Sequence, residues 1–91
     1  MNNTLLTEEN KEALIILMEG CSELAIEASK IIRFGTEAKK DNLKREFADL
    51  LCMMHILEEQ GFLVFDEEKM DKMIEDKREK LKIWSNLFVD K

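Results

Sequence analysis

Apolar side chains return every three or four positions from Leu14 to Ile32, at Leu14, Leu17, Met18, Cys21, Leu24, Ala25, Ala28, Ile31 and Ile32. That is the period of a helix with one covered face. Thr7, followed by Glu8 and Glu9, predicts its N-cap, and Gly35 its C-cap. A second helical period carries Leu43, Leu50, Met53 and Leu57 and runs to Glu59 or Gln60, just before Gly61. Asp41 or Asn42 is its expected cap, and the polar residues Thr36 to Asp41 form the connection. So short a connection makes the two helices antiparallel neighbours, a helical hairpin. The apolar run Phe62-Leu63-Val64-Phe65 has no strand partner and reads as a linker packed beneath a third helix. Asp66 caps that helix, whose expected buried stripe is Met70, Met73, Ile74, Lys77, Leu81, Trp84 and Phe88, suited to docking on the hairpin or on another subunit. The predicted fold is all-α, a hairpin plus a third helix in one domain spanning residues 1–91.

Composition agrees: there is no proline, three glycines, 45% hydrophobic and 37% charged residues. A chain of 91 residues buries only about 60% of its unfolded surface. A second copy is therefore expected, giving a homo-oligomer, dimer or tetramer, in which paired hairpins form four-helix bundles. Twenty acidic against 14 basic residues give a net charge of −6, with the bases interspersed among the acids. Binding to a nucleic-acid polymer, which depends on phosphate neutralisation, is not expected. Acidity does not exclude a small phosphorylated ligand, because a bound divalent ion inverts the local field. Cys21 and Cys52 share no Cys-x-x-Cys or Cys/His grouping and read as buried free thiols, and His55 as structural. The N-terminal residues lack a basic and apolar leader, and no run reaches membrane-spanning length. The expectation is a cytoplasmic protein without a membrane partner.

Two carboxylates interrupt the second apolar face. At about 100° per residue, Glu46 and Asp49 fall on the side of Leu43, Leu50, Met53 and Leu57. A carboxylate there is costly unless it neutralises, pairs or meets a metal. On the first helix, Glu19, Glu23, Glu27 and Lys30 form a second charged row. Alone, such a row is an ordinary solvated face. Acidic pairs on two consecutive helices of a hairpin, however, can converge on one divalent cation, and hard carboxylate oxygens suit magnesium, with manganese as an alternate. No Ser-His or Cys-His arrangement suggests a protein nucleophile.

The segments Glu19-Gly20-Cys21-Ser22-Glu23-Leu24 and Arg45-Glu46-Phe47-Ala48-Asp49-Leu50, with Ser29-Lys30-Ile31-Ile32-Arg33-Phe34-Gly35 between them, resemble the MazG-like all-α nucleoside triphosphate pyrophosphohydrolases. The likeness is to the short stand-alone members common in phage genomes and spans roughly residues 17–57. In that family the elements are Glu-Glu-x-x-Glu and Glu-Glu-x-x-Asp. The resemblance implies magnesium-dependent hydrolysis of a nucleoside triphosphate, a deoxyribonucleoside triphosphate foremost, to the monophosphate and pyrophosphate. It implies Glu23, Glu46 and Asp49 as catalytic acidic residues, with Glu19 beside them as a further metal ligand. Lys30 and Arg33 become candidates for phosphate contacts, and a phage-encoded member would act in the host cytoplasm.

The departure that matters falls at a metal-binding position. Gly20 stands where the family has a metal-binding glutamate. Glu19, next to it, points about 100° away around the helix, and Glu27 lies about 10 Å further along the axis. Loss of one carboxylate weakens a shared metal site. The rival expectation is therefore a catalytically silent helical interaction module of the same fold, using its acidic face to bind a protein.

Overall fold

The computed structural model describes residues 6–35 and 39–88. Their regular structure is all α-helix: α1 spans Glu8–Phe34, α2 Lys39–Glu59 and α3 Glu67–Trp84, with no strand among the described residues. The caps form where the side chains can supply them. Thr7 Oγ1 accepts from the Asn10 N–H at 3.0 Å, and Asp66 Oδ1 accepts from the Lys69 N–H at 3.1 Å. Gly35 ends α1 in the left-handed region (φ 58°, ψ 44°) and donates its N–H to the Ile31 carbonyl at 2.7 Å, a conformation that favours glycine. The start of α2 differs from expectation. It begins at Lys39, ahead of Asp41 and Asn42, so neither residue is the cap, and residues 36–38, where a cap would fall, lie outside the described set. Asp41 instead occupies the first turn, where a carboxylate favours the helix dipole, 3.7 Å from Lys44.

The hairpin is antiparallel. Ile16 shares a cavity with Met53, Gly20 faces Leu50, and Glu23 shares a cleft with Glu46, so residues advance along α1 as they recede along α2. The facing positions on α1 are Asn10, Ala13, Leu17, Gly20, Leu24, Glu27 and Ile31, each buried or half-buried. On α2 they are Leu43, Glu46, Leu50, Met53 and Leu57. Both sets step by alternate threes and fours, the 3.5-residue period of a coiled-coil seam. The face anticipated for α1 was rotated from this one. Cys21 and Ile32 are exposed, while Glu27, expected in a solvated row, is buried with only 8% of its surface accessible. A strict seven-residue repeat turns the contact line away from the broad apolar stripe that a straight helix would show.

Gly20 controls the spacing. A Cβ built on it would stand 3.0 Å from Leu50 Cδ2, so glycine here lets the α1 backbone approach the α2 side chain closely. The core above it is small: Ala13 and Leu57 are the buried hydrophobic residues among those described, and Leu57 is completely covered. Its carbonyl also accepts the N–H groups of Phe62 and Leu63 at 3.0 and 3.3 Å, which turns the chain out of α2.

The linker after Gly61 is half-buried at Phe62, Leu63 and Phe65, whereas Val64 points outward. It carries α3 away from the hairpin: α1 and α2 pack on each other and neither packs along α3. The stripe expected to be buried on α3 is not, since no residue of the helix is buried, and Phe88 lies beyond its last residue. Met70 alone of that stripe borders α2, sharing a cavity with Leu51 and Met54. The exposed pair Glu79–Lys82, 2.8 Å apart, holds the Glu79 carboxyl below and the Lys82 ammonium above their ordinary values, mainly through their shared hydrogen bond. Such exposed pairs stabilise a helix only slightly. The radius of gyration is 16.5 Å, against about 12 Å for a compact chain of this length.

Because Leu57 is the one large side chain closed off completely among the described residues, Leu57→Ala is expected to lower unfolding free energy by about 2–4 kcal/mol. Chemical denaturation followed by circular dichroism measures this; a change below the usual scatter of surface substitutions would mean that the hairpin does not depend on this contact.

Candidate functional site

Four of the sequence-selected acids meet. Glu19 and Glu23 from α1 and Glu46 and Asp49 from α2 line one open cleft of about 560 Å³, together with Ile16, Gly20, Cys52 and Met53. The seam explains how. Glu46 occupies a seam position and is half-buried, whereas Glu19, Glu23 and Asp49 flank it and are exposed. The narrow approach at Gly20 and Leu50 forms part of the same region. The result is a water-accessible groove with carboxylates on both walls and an apolar floor.

The donor chemistry suits a hard divalent cation, since all four acids offer carboxylate oxygens. As arranged, no three His, Cys, Asp or Glu side chains among the described residues are close enough together to hold a metal ion. Magnesium, however, commonly uses one or two carboxylates and takes its other ligands from water and substrate phosphates. The set therefore fits a cation that arrives with a polyphosphate better than a permanently caged ion.

Neither basic candidate lines this cleft. Lys30 Nζ lies 3.3 Å from Glu27 Oε2. Arg33 is exposed at the C-terminal end of α1, its Nε donating to the Ser29 carbonyl at 3.5 Å and its guanidinium 5.2 Å from the centre of the Phe34 ring. That placement also suits a helix-end cation facing the dipole. Sequence reasoning passed over the structural position of Glu27. Its Oε1 is buried and has no hydrogen-bond partner, as is Asn10 Oδ1 on the same seam. The signal was present in the spacing of Ala13, Gly20 and Glu27, one heptad apart.

Both cysteines are free but exposed, not buried as expected, because the rotated seam leaves positions 21 and 52 outside the helix contact. Cys52 reaches the wall of the acidic cleft. His55 is exposed and belongs to a different cavity, beside α3. No helix among the described residues is long and apolar enough to cross a membrane. No protein-family model, no curated protein and no solved structure matches the chain.

Two predictions follow from the seam. Gly20→Glu puts a Cβ against Leu50 and should destabilise the hairpin by about 1–3 kcal/mol, whereas Leu50→Ala in the same chain should recover much of that loss; a double-mutant cycle in denaturant measures the coupling. Equal losses with and without Leu50 would remove the close approach from the account. Glu27→Leu replaces a buried, incompletely bonded carboxylate with an apolar seam residue and should raise the unfolding free energy. Lys30→Met strips Glu27 of its partner and should lower it, each by about 1–3 kcal/mol. Calorimetry at neutral pH distinguishes these opposite signs.

Proposed function

We propose that the chain is a magnesium-dependent pyrophosphohydrolase of the MazG-like type, converting a nucleoside triphosphate, a deoxyribonucleoside triphosphate foremost, to its monophosphate and pyrophosphate. The observation that carries this reading is the meeting of Glu19, Glu23, Glu46 and Asp49 from both helices in one open cleft. The motif resemblance chose the same acids from sequence alone. Acting in the cytoplasm, the host's if phage-encoded, such a chain would work as a homo-oligomer, dimer or tetramer, built by pairing hairpins into four-helix bundles.

In the reaction, a water oxygen forms a bond to the α-phosphorus, the bond from that phosphorus to the bridging oxygen breaks, and pyrophosphate leaves. Magnesium, when bound, supplies charge neutralisation to the polyphosphate and acidity to the water. Glu23, Glu46 and Asp49 are the catalytic acidic residues, with Glu19 as a further ligand on the rim. A carboxylate beside the attacking water can accept its proton, and the half-buried seat of Glu46 fixes that group's direction. No covalent intermediate with the protein is needed. Lys30, held by Glu27, and Arg33 lie outside the cleft, further along α1, and would meet only a triphosphate tail that extends past the acids toward them.

A second reading has its own support. Gly20 faces Leu50 instead of offering a carboxylate, and this favours a silent interaction module that keeps the hairpin and presents the acidic cleft to a protein. A panel of ribo- and deoxyribonucleoside triphosphates assayed with magnesium, with monophosphate and pyrophosphate resolved as products, decides between them. In the enzyme, Glu46→Gln and Asp49→Asn should keep the helical spectrum and each lower turnover on the order of a hundredfold or more. Undiminished hydrolysis in either variant removes that residue from the catalytic set; no hydrolysis of any triphosphate by the parent chain favours the module.

A further inference from the structure

The two ends of α3 carry unpartnered surfaces that complement each other. At its start, an open cavity of about 440 Å³ is lined by Leu51, Met54, Phe65 and Met70, with Glu58 and Glu67 also contributing carboxylates. At its end, Ile83, Trp84 and Leu87 stand exposed, Trp84 with 80% of its surface accessible. An 18-residue helix is about 27 Å long, so the cavity and the aromatic end of one straight α3 cannot meet within a chain. Two copies of α3 lying antiparallel bring the end of each beside the start of the other. A two-fold axis makes the contact twice.

Charge selects that orientation. Residues 67–76 hold five acids and two bases, a net charge of −3, while residues 77–84 hold four bases and one acid, a net charge of +3. Parallel copies would oppose like halves; antiparallel copies oppose unlike ones. Compensation of the helix dipole concerns only the first and last turns, whereas Glu75, Asp76, Lys77 and Arg78 place the change of sign in the middle of α3. The stripe, exposed at Ile74, Lys77 and Trp84 and half-buried at Met70 and Leu81, has the matching form. Met70, Ile74, Lys77, Leu81 and Trp84 step by four, three, four and three, the period of a two-helix seam. A register that sets Met70 against Leu81 of the partner subunit also sets Asp71 against the partner's Lys80 and Glu67 against the partner's Trp84. Lys77 can pack its aliphatic stem in the seam while its ammonium reaches the edge.

We infer that α3 is a self-recognition helix: two copies of this chain pair through antiparallel α3 segments, and Trp84 of each enters the apolar cavity beside α2 of the other. The partner is a second copy of this chain. The contact does not depend on the hydrolytic reading, because it uses none of the acidic-cleft residues. It is also distinct from hairpin pairing, and both together would give a dimer of dimers.

Trp84 is the chain's single tryptophan, so its emission reports this contact alone. The full-length chain is to be diluted through its assembly transition, with sedimentation and tryptophan emission followed on the same samples. Blue-shifted emission in the assembled state, moving to the red as the chain dissociates, is the expected result. Orientation is read by cross-linking in a Cys21→Ser/Cys52→Ser background. An equimolar mixture of Asp71→Cys and Lys80→Cys chains should form disulfide-linked dimers, and Asp71→Cys chains alone should not. Reversing the basic half (Lys77→Glu, Arg78→Glu, Lys80→Glu and Lys82→Glu) should abolish association while circular dichroism stays helical. A monomer at all micromolar concentrations, an oligomer whose Trp84 emission remains that of an exposed indole, or equal cross-linking by Asp71→Cys chains alone would each overturn the pairing.

Discussion

The close approach of α1 to α2 at Gly20 is the constraint on which the rest of the molecule depends. With a 3.0 Å separation between a virtual Cβ and Leu50, any larger residue at this point must move a leucine of the facing helix. The missing side chain has a cost, since glycine inside a helix is about 1 kcal/mol worse than alanine. It is offset by contacts along a hairpin that has little else to bury. The narrow passage also sets the two acidic walls beside each other, because Glu19 and Glu23 flank Gly20 on α1 while Glu46 and Asp49 flank Leu50 on α2. Packing and site geometry are therefore the same feature seen from two sides.

This alters the meaning of the departure from the MazG-like motif. Read as a string, Gly20 is a lost ligand. In the hairpin it is a seam position, so a carboxylate there competes with Leu50 for room before it can coordinate anything. The remaining acids are arranged asymmetrically: Glu46 is restrained by partial burial, and the other three are free to rotate in solvent. A polyphosphate carrying its own magnesium would draw those mobile side chains together at the moment of binding, which is how a cleft without a preformed ligand cluster can still serve a cation.

Element types were legible in the sequence because their signals are local. Thr7, Gly35, Asp66 and the glycine at 61 act through backbone geometry within a few residues, and each is found in its expected place. The four acids of the cleft were legible because helical spacing and chain order are enough to bring them to one groove. Which face of α1 meets α2 was less so, since it depends on a 3.5-residue repeat imposed by the neighbour, and this moved Cys21 outward and Glu27 inward. That the α3 stripe is a docking face was legible, but which cover it has was not. A stripe records that something covers it, and the pattern is identical whether the cover belongs to the same chain or to another.

That last distinction bears on how so small a chain can be stable. The hairpin closes off few side chains, and α3 adds none. In proteins most of a helix's stability comes from packing of its apolar face, and α3 packs along neither helix of the hairpin. Asp66 and the Glu79–Lys82 pair help α3 locally, but exposed caps and ion pairs contribute little. What would hold α3 is burial of its apolar stripe, and its halves of opposite charge make a second α3, reversed, a better cover than the acidic hairpin of its own chain. Assembly then adds to the stability of a helix that already forms in the single chain, and that addition grows with protein concentration.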